Sequence, residues 1–297
     1  MSYHAQTASL PERPPQPALK RGFWWQATFL LLLVAWLYSS ILLHLAKQWL
    51  NDPNFSHGFF VPAFSLFVLW QNRAQLAREP REPSSWGLLA VAFALLVLVV
   101  GVLGAELFLS RISLLLLIAG LVIFFSGWHL FRASLFPWAF LILMIPIPAI
   151  VFTQITFPLQ ILASKVAAVL LPMAGVPVLR EGNIIYLPAM PLEIAEACSG
   201  IRSLLSLGAL ATIYGYFSET RVWVRIVLAL ASIPIAVAAN SLRIVGTGLL
   251  VQYWDPDKAE GFFHTFSGWL IFVVSLAMLF LLHRLLQVGH RNDEVRP

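Results

Sequence analysis

WGLLAVAFALLVLVVGVLGAELF, Trp86 to Phe108, decides the fold: its only charge is Glu106, close to its end. About 20 apolar residues in a helix, rising 1.5 Å each, cross the roughly 30 Å hydrocarbon layer of a bilayer. Working outward, the same signal recurs. Phe23 to Leu45 is a first span, too long for the core of a signal peptide and without a small-x-small cleavage site. A short apolar segment covers His57 to Trp70, and further spans cover Ile112 to Trp128, Ser134 to Thr156, Cys198 to Phe217, Ile226 to Val251 and His264 to Leu286. Pro137, Pro146 and Pro148 predict a kink in the fifth of the eight. Composition agrees. Charged residues make up 11%, hydrophobic types 59%, and mean hydropathy is +0.81; too few polar residues remain to cover a water-soluble fold. The expectation is an all-α, polytopic membrane protein of about eight transmembrane helices. A polar, Pro-rich tail, 1–22, and a basic tail, 287–297, flank a membrane domain at 23–286.

The charge of +5 does not point to nucleic acid, because the basic residues are scattered one to three per loop with no binding motif. They report orientation instead. With the N-terminus in the cytoplasm, inner loops and tails hold twelve Lys and Arg. The outer segments hold Lys47, Arg111, Lys165, Arg180 and Lys258, and only Arg202 and Arg243 lie inside spans. This requires Phe157 to Ala174 not to cross. Thr156, Gln160 and Ser164 recur every four residues beside Lys165, so this segment is expected to lie along the outer interface as an amphipathic helix. Gly175 to Ala197, rich in Pro and Gly and bearing Arg180, Glu181, Glu193 and Glu196, is read as an outer loop.

Chemistry is concentrated at the outer ends of the last three spans. Cys198 is the single cysteine. A lone Cys is often a small hydrophobe, but this one precedes a helix whose free amide N–H groups and dipole favour a thiolate. With no second Cys, no internal disulfide forms and a zinc cluster is not expected; nor is any cofactor. Arg243 lies about 12 Å below the outer end of its span, where a cation costs at least ~2.5–3.5 kcal/mol and therefore pairs or works. Asn240 shares its helix face and can orient the guanidinium. The structural alternative is a pair with Glu193 or Glu196. His264 opens the last span. A thiolate, an imidazole to move protons and a cation for an oxyanion form an acyl-transfer set, with Arg202, one turn after Cys198, as a second cation. The rival reading is a transporter or flippase for a polysaccharide or lipid intermediate. It needs polar residues through the full depth, whereas here they gather near one face.

EACSGIR at Glu196 to Arg202, NSLR at Asn240 to Arg243, and Phe263-His264 before the last span together resemble the exosortase family. His57-Gly58 resembles the family's amino-terminal His-Gly segment, and the resemblance runs from His57 to Leu286. It implies a membrane cysteine transpeptidase of the bacterial inner membrane, multi-pass, with its site facing the periplasm. Cys198, Arg243 and His264 would be catalytic, and Arg202, Asn240, Glu196 and His57 supporting or substrate-binding. Its partners would be membrane lipid, exported proteins with a carboxy-terminal sorting signal (a Pro-Glu-Pro-type motif, a transmembrane helix and basic residues) and an acceptor of unknown identity. Such proteins are tied to extracellular polysaccharide and biofilm.

Overall fold

The computed structural model describes residues 21–194, 199–254 and 262–293, without the side chains of 21–24, 26–27, 262–265 and 288–293. Two compact units divide the chain at 43/44. The first contains α1 (Arg21–Leu37), which ends at a 64° bend before α2 (Ser39–Asn51).

The second unit holds the rest of α2, a 3-10 helix (Pro53–Phe59), α3 (Phe60–Gln71), α4 (Arg73–Leu76), α5 (Trp86–Leu103) and α6 (Leu107–Ser126). Then come α7 (Trp128–Ala133), α8 (Leu135–Phe140), a 3-10 turn (Leu141–Met144) and α9 (Ala149–Met173). Strands β1 (Leu179–Glu181), β2 (Ile184–Tyr186) and β3 (Pro191–Glu193) precede α10 (Ile201–Ser218), α11 (Val222–Tyr253) and α12 (Phe262–Asp293). Five helices among the described residues are long and apolar enough to cross a membrane, or six if the bent α1–α2 pair is one span. The molecule is a helical, multi-pass membrane protein. Of the eight expected spans, His57 to Trp70 becomes a 3-10 turn and the 12-residue α3. Ser134 to Thr156 is broken by its prolines into α8, a 3-10 turn and the start of α9.

Helices α5 and α6 show why lipid is the solvent. Leu89, Phe93, Leu96 and Leu103 are exposed, while Gly87, Ala94 and Gly101 are buried against α6. A β-carbon on Gly101 would stand 2.7 Å from the Ser110 amide nitrogen, and one on Gly120 2.8 Å from that of Val91. Small residues let the two backbones approach closely, which is how helices associate where the hydrophobic effect is absent.

Among the described residues, the one non-helical element is an antiparallel meander, β1-β2-β3, pairing Arg180 with Ile185 and Ile185 with Leu192. Gly182, at φ +61, takes the first place of its two-residue hairpin loop, where type II′ geometry selects glycine. The stretch expected as loop is thus a small sheet, a local exception to the all-α reading.

Helices α10 and α11 form an antiparallel hairpin about residues 219–221, so the start of α10 and the end of α11 lie on one face, called here the site face. Phe152 of α9 belongs to the same core cluster as Ile201, and Leu171 packs on Gly248. From the 219–221 turn, Ile201 and Gly248 stand about 26 and 39 Å away along their helices. Helix α9 runs unbroken from Ala149 to Met173 and is long and apolar enough to cross a membrane, where an interfacial helix was expected over Phe157 to Ala174. Its polar side corrects the expectation. Thr156, Gln160 and Ser164 are buried inside the protein, and Ser164 Oγ donates to the Gly182 carbonyl at 2.9 Å. The hairpin takes up the Ser164 hydroxyl, and that of Thr156 bonds back to the Thr153 carbonyl within α9.

Candidate active site

Cys198 and Glu196 lie outside the described residues, and His264 is described by its backbone alone, in the first turn of α12. Their neighbours on the chain are described. Gly200, two residues after Cys198, caps α10 in the left-handed conformation at φ +81. A β-carbon there would fall 2.7 Å from Cγ of Asn240. Gly268, one helical turn after His264, sits against α11, with its β-carbon position 3.6 Å from Nη1 of Arg243.

Asn240 is 3% exposed and Arg243 half-buried, and both side chains are engaged. Three places apart on α11, they face the same way. The approach to α10 and the opening turns of α12 therefore meet α11 at Asn240 and Arg243. Arg202 is exposed on the first turn of α10.

His57 stands in the 3-10 helix before α3, with Nε2 3.2 Å from the Leu143 carbonyl; that nitrogen carries the proton. Nδ1 is buried with no partner of hydrogen-bonding geometry. Burial holds the ring's pKa below the ordinary 6.5, outweighing the carbonyls of Leu143 and Asn54. Next to it, Gly58 leaves no room for a β-carbon against the Trp49 indole, whose Nε1 donates to the Met144 carbonyl at 2.9 Å. The His-Gly pair and Trp49 together secure the 141–144 turn. The cluster containing Trp49, Phe55, Met144 and Phe152 extends to Ile201.

A second polar group lies at the far face. Tyr214 Oη and His283 Nδ1 are 2.7 Å apart, and Glu219 Oε2 is 3.6 Å from His283 Nε2. His283 is 2% exposed. The amides of Arg221 and Thr220, with His283, hold the Glu219 carboxyl below its usual pKa, the Arg221 N–H most strongly. Sequence reading missed this group, since a His 19 residues into an apolar helix carries no motif.

Among the described residues, no three His, Cys, Asp or Glu are grouped to hold a metal ion. No curated protein and no solved structure matches the chain. A sequence model described as transmembrane exosortase matches residues 49–281, well over half of the chain and spanning every residue singled out above as a site candidate. The chain belongs to the transmembrane exosortase family.

Proposed function

We propose that this exosortase is a membrane cysteine transpeptidase whose reacting groups are Cys198, Arg243 and His264. One observation carries the reading: Gly200 lies against Asn240 and Gly268 against Arg243, so the chain flanking Cys198 and the chain flanking His264 converge on one polar face of α11. That face holds an Arg and an Asn, the donors that a developing oxyanion needs.

The Cys198 thiolate adds to the peptide carbonyl beside the sorting motif. The oxyanion that forms is held by Arg243, with Asn240 fixing the guanidinium. When the C–N bond breaks, His264 as imidazolium gives its proton to the leaving amine, and a thioester to Cys198 remains. An amine or hydroxyl acceptor then adds and gives its proton to the now neutral His264 imidazole, the C–S bond breaks and the thiolate returns. The substrates are exported proteins ending in a Pro-Glu-Pro-type motif, one transmembrane helix and basic residues, and the setting is a bacterial inner membrane with the site toward the periplasm. Glu196 and Arg202 flank the nucleophile and take the substrate backbone.

The test is sorting-signal processing in cells carrying Cys198→Ala. The protein should stay inserted and abundant while the precursor accumulates uncleaved. Processing at the normal rate removes Cys198 as the nucleophile.

A further inference from the structure

A cavity of about 420 Å³ opens beside the first turn of α6, walled in part by Phe55, Pro148 and Phe152. Arg111 forms part of its lining, is 4% exposed, and has a buried Nε–H with no hydrogen-bond partner among the described residues. An unmet buried donor on a cation is costly, by ~1–3 kcal/mol for the hydrogen bond alone and more when charged. Glu106 and Asp52 line the same cavity. Each uses one oxygen as a helix cap: Glu106 Oε2 accepts from the Leu109 amide and Asp52 Oδ1 from the Asn54 amide, both at 2.9 Å. Glu106 also attracts the Arg111 guanidinium.

The charge inventory selects the ligand. One cation against two carboxylates leaves the cavity with a net negative charge, which opposes a bare anion such as phosphate. A bare cation leaves the Arg111 donor unmet. A molecule carrying both an oxyanion and an ammonium satisfies each. We propose that this cavity binds a zwitterionic primary amine, its oxyanion on Arg111 and its ammonium on Asp52 and Glu106.

The place suits an acyl acceptor. Phe55 and Phe152 share a core cluster with Ile201, three residues after Cys198. Use of the bound amine in this way rests on the transpeptidase reading; binding does not. In that use the ammonium first gives one proton to the Asp52 or Glu106 carboxylate, and the neutral amine adds to the Cys198 thioester. A C–N bond forms as the C–S bond breaks, the amine's remaining surplus proton passes to the His264 imidazole, and the Cys198 thiolate returns.

Isothermal titration of the purified full-length protein in detergent tests the proposal. The probes are glycerophosphoethanolamine, glycine, inorganic phosphate and ethanolamine. At least one zwitterion should bind tenfold or more tightly than phosphate or ethanolamine. Tighter glycerophosphoethanolamine assigns a phospholipid headgroup as the source, and tighter glycine an amino acid. Arg111→Gln and Asp52→Asn should each weaken zwitterion binding at least tenfold; the second retains a side chain able to cap Asn54, so it reports even where Arg111→Gln fails to fold. Phosphate binding as tight as the zwitterions, no zwitterion binding at 10 mM (on the order of the weakest ligand affinities), or unchanged affinity in Asp52→Asn overturns it. Cys198→Ala should bind the zwitterion normally. Loss of processing by that variant with absent zwitterion binding in the wild type sinks the acceptor pocket alone, and the reverse result sinks the transpeptidase reading alone.

Discussion

Gly200 and Asn240 share one van der Waals boundary: a β-carbon on the first would come within 2.7 Å of Cγ and 2.8 Å of Cβ of the second. With φ at +81, residue 200 is also in a conformation that L side chains resist by about 1–2 kcal/mol. Gly200→Ala should therefore lower processing tenfold or more while the protein remains inserted. Asn240→Ala in the same chain removes Cγ but leaves Cβ and the backbone strain. Part of the loss in Gly200→Ala should then be absent from the double variant, a non-additivity that a double-mutant cycle measures. Strict additivity would mean that the contact does not limit activity.

Gly268 offers the contrasting case. Its β-carbon position is 3.6 Å from Arg243 Nη1, ordinary contact, and its φ needs no glycine. Gly268→Ala should keep near-normal processing and raise the melting temperature slightly, since Ala is favoured over Gly within helices by up to about 1 kcal/mol. Gly268→Leu should displace the guanidinium and abolish processing. Equal effects of the two substitutions would separate activity from this contact.

His57 makes stability depend on pH. Its folded pKa lies below the unfolded value of about 6.5, so the unfolded chain binds the extra proton as pH falls below that value. Stability is full above about pH 6.5 and declines below it until the folded pKa is reached, by no more than about 1.4 kcal/mol per pH unit. Thermal unfolding at pH 7.5 and 5.5 should show a smaller difference in His57→Gln, which can still donate to the Leu143 carbonyl. An identical difference in both proteins would assign the slope to other groups.

Tyr214→Phe removes the hydroxyl that faces His283 Nδ1. Leaving that buried nitrogen unmet should cost about 1–3 kcal/mol of stability. Because Glu219 still faces His283 Nε2 and keeps α12 in register, the pH profile of Cys198 labelling by a thiol reagent should not move. A shifted profile would tie the far face to the nucleophile's ionisation.

The last three helices were legible because their information is local. Long apolar runs mark α11 and α12, and an Arg and an Asn three places apart inside one of them mark a shared polar face. The small sheet was not legible, since strands of three residues carry too little alternation to read. The burial of Thr156, Gln160 and Ser164 escaped for another reason. Spacing says that polar residues share a side, not whether water or a hairpin carbonyl meets them. Arg111 was counted only as a loop charge, because its burial depends on α2, α9 and the turn before α9 closing around it. The fifth expected span is no continuous helix: where its prolines fall, the chain is broken into short pieces before α9.

The hold on His283 reaches well beyond its own neighbourhood. Residues 264 and 283 belong to one uninterrupted helix, about 28 Å and slightly over five turns apart. Each residue along such a helix rotates the direction of the next by 100°, so slippage of α12 by one position where Tyr214 and Glu219 grip it turns residue 264 more than a quarter of a circle. The angular setting of the site face is thus tied to contacts at the other end of the same helix.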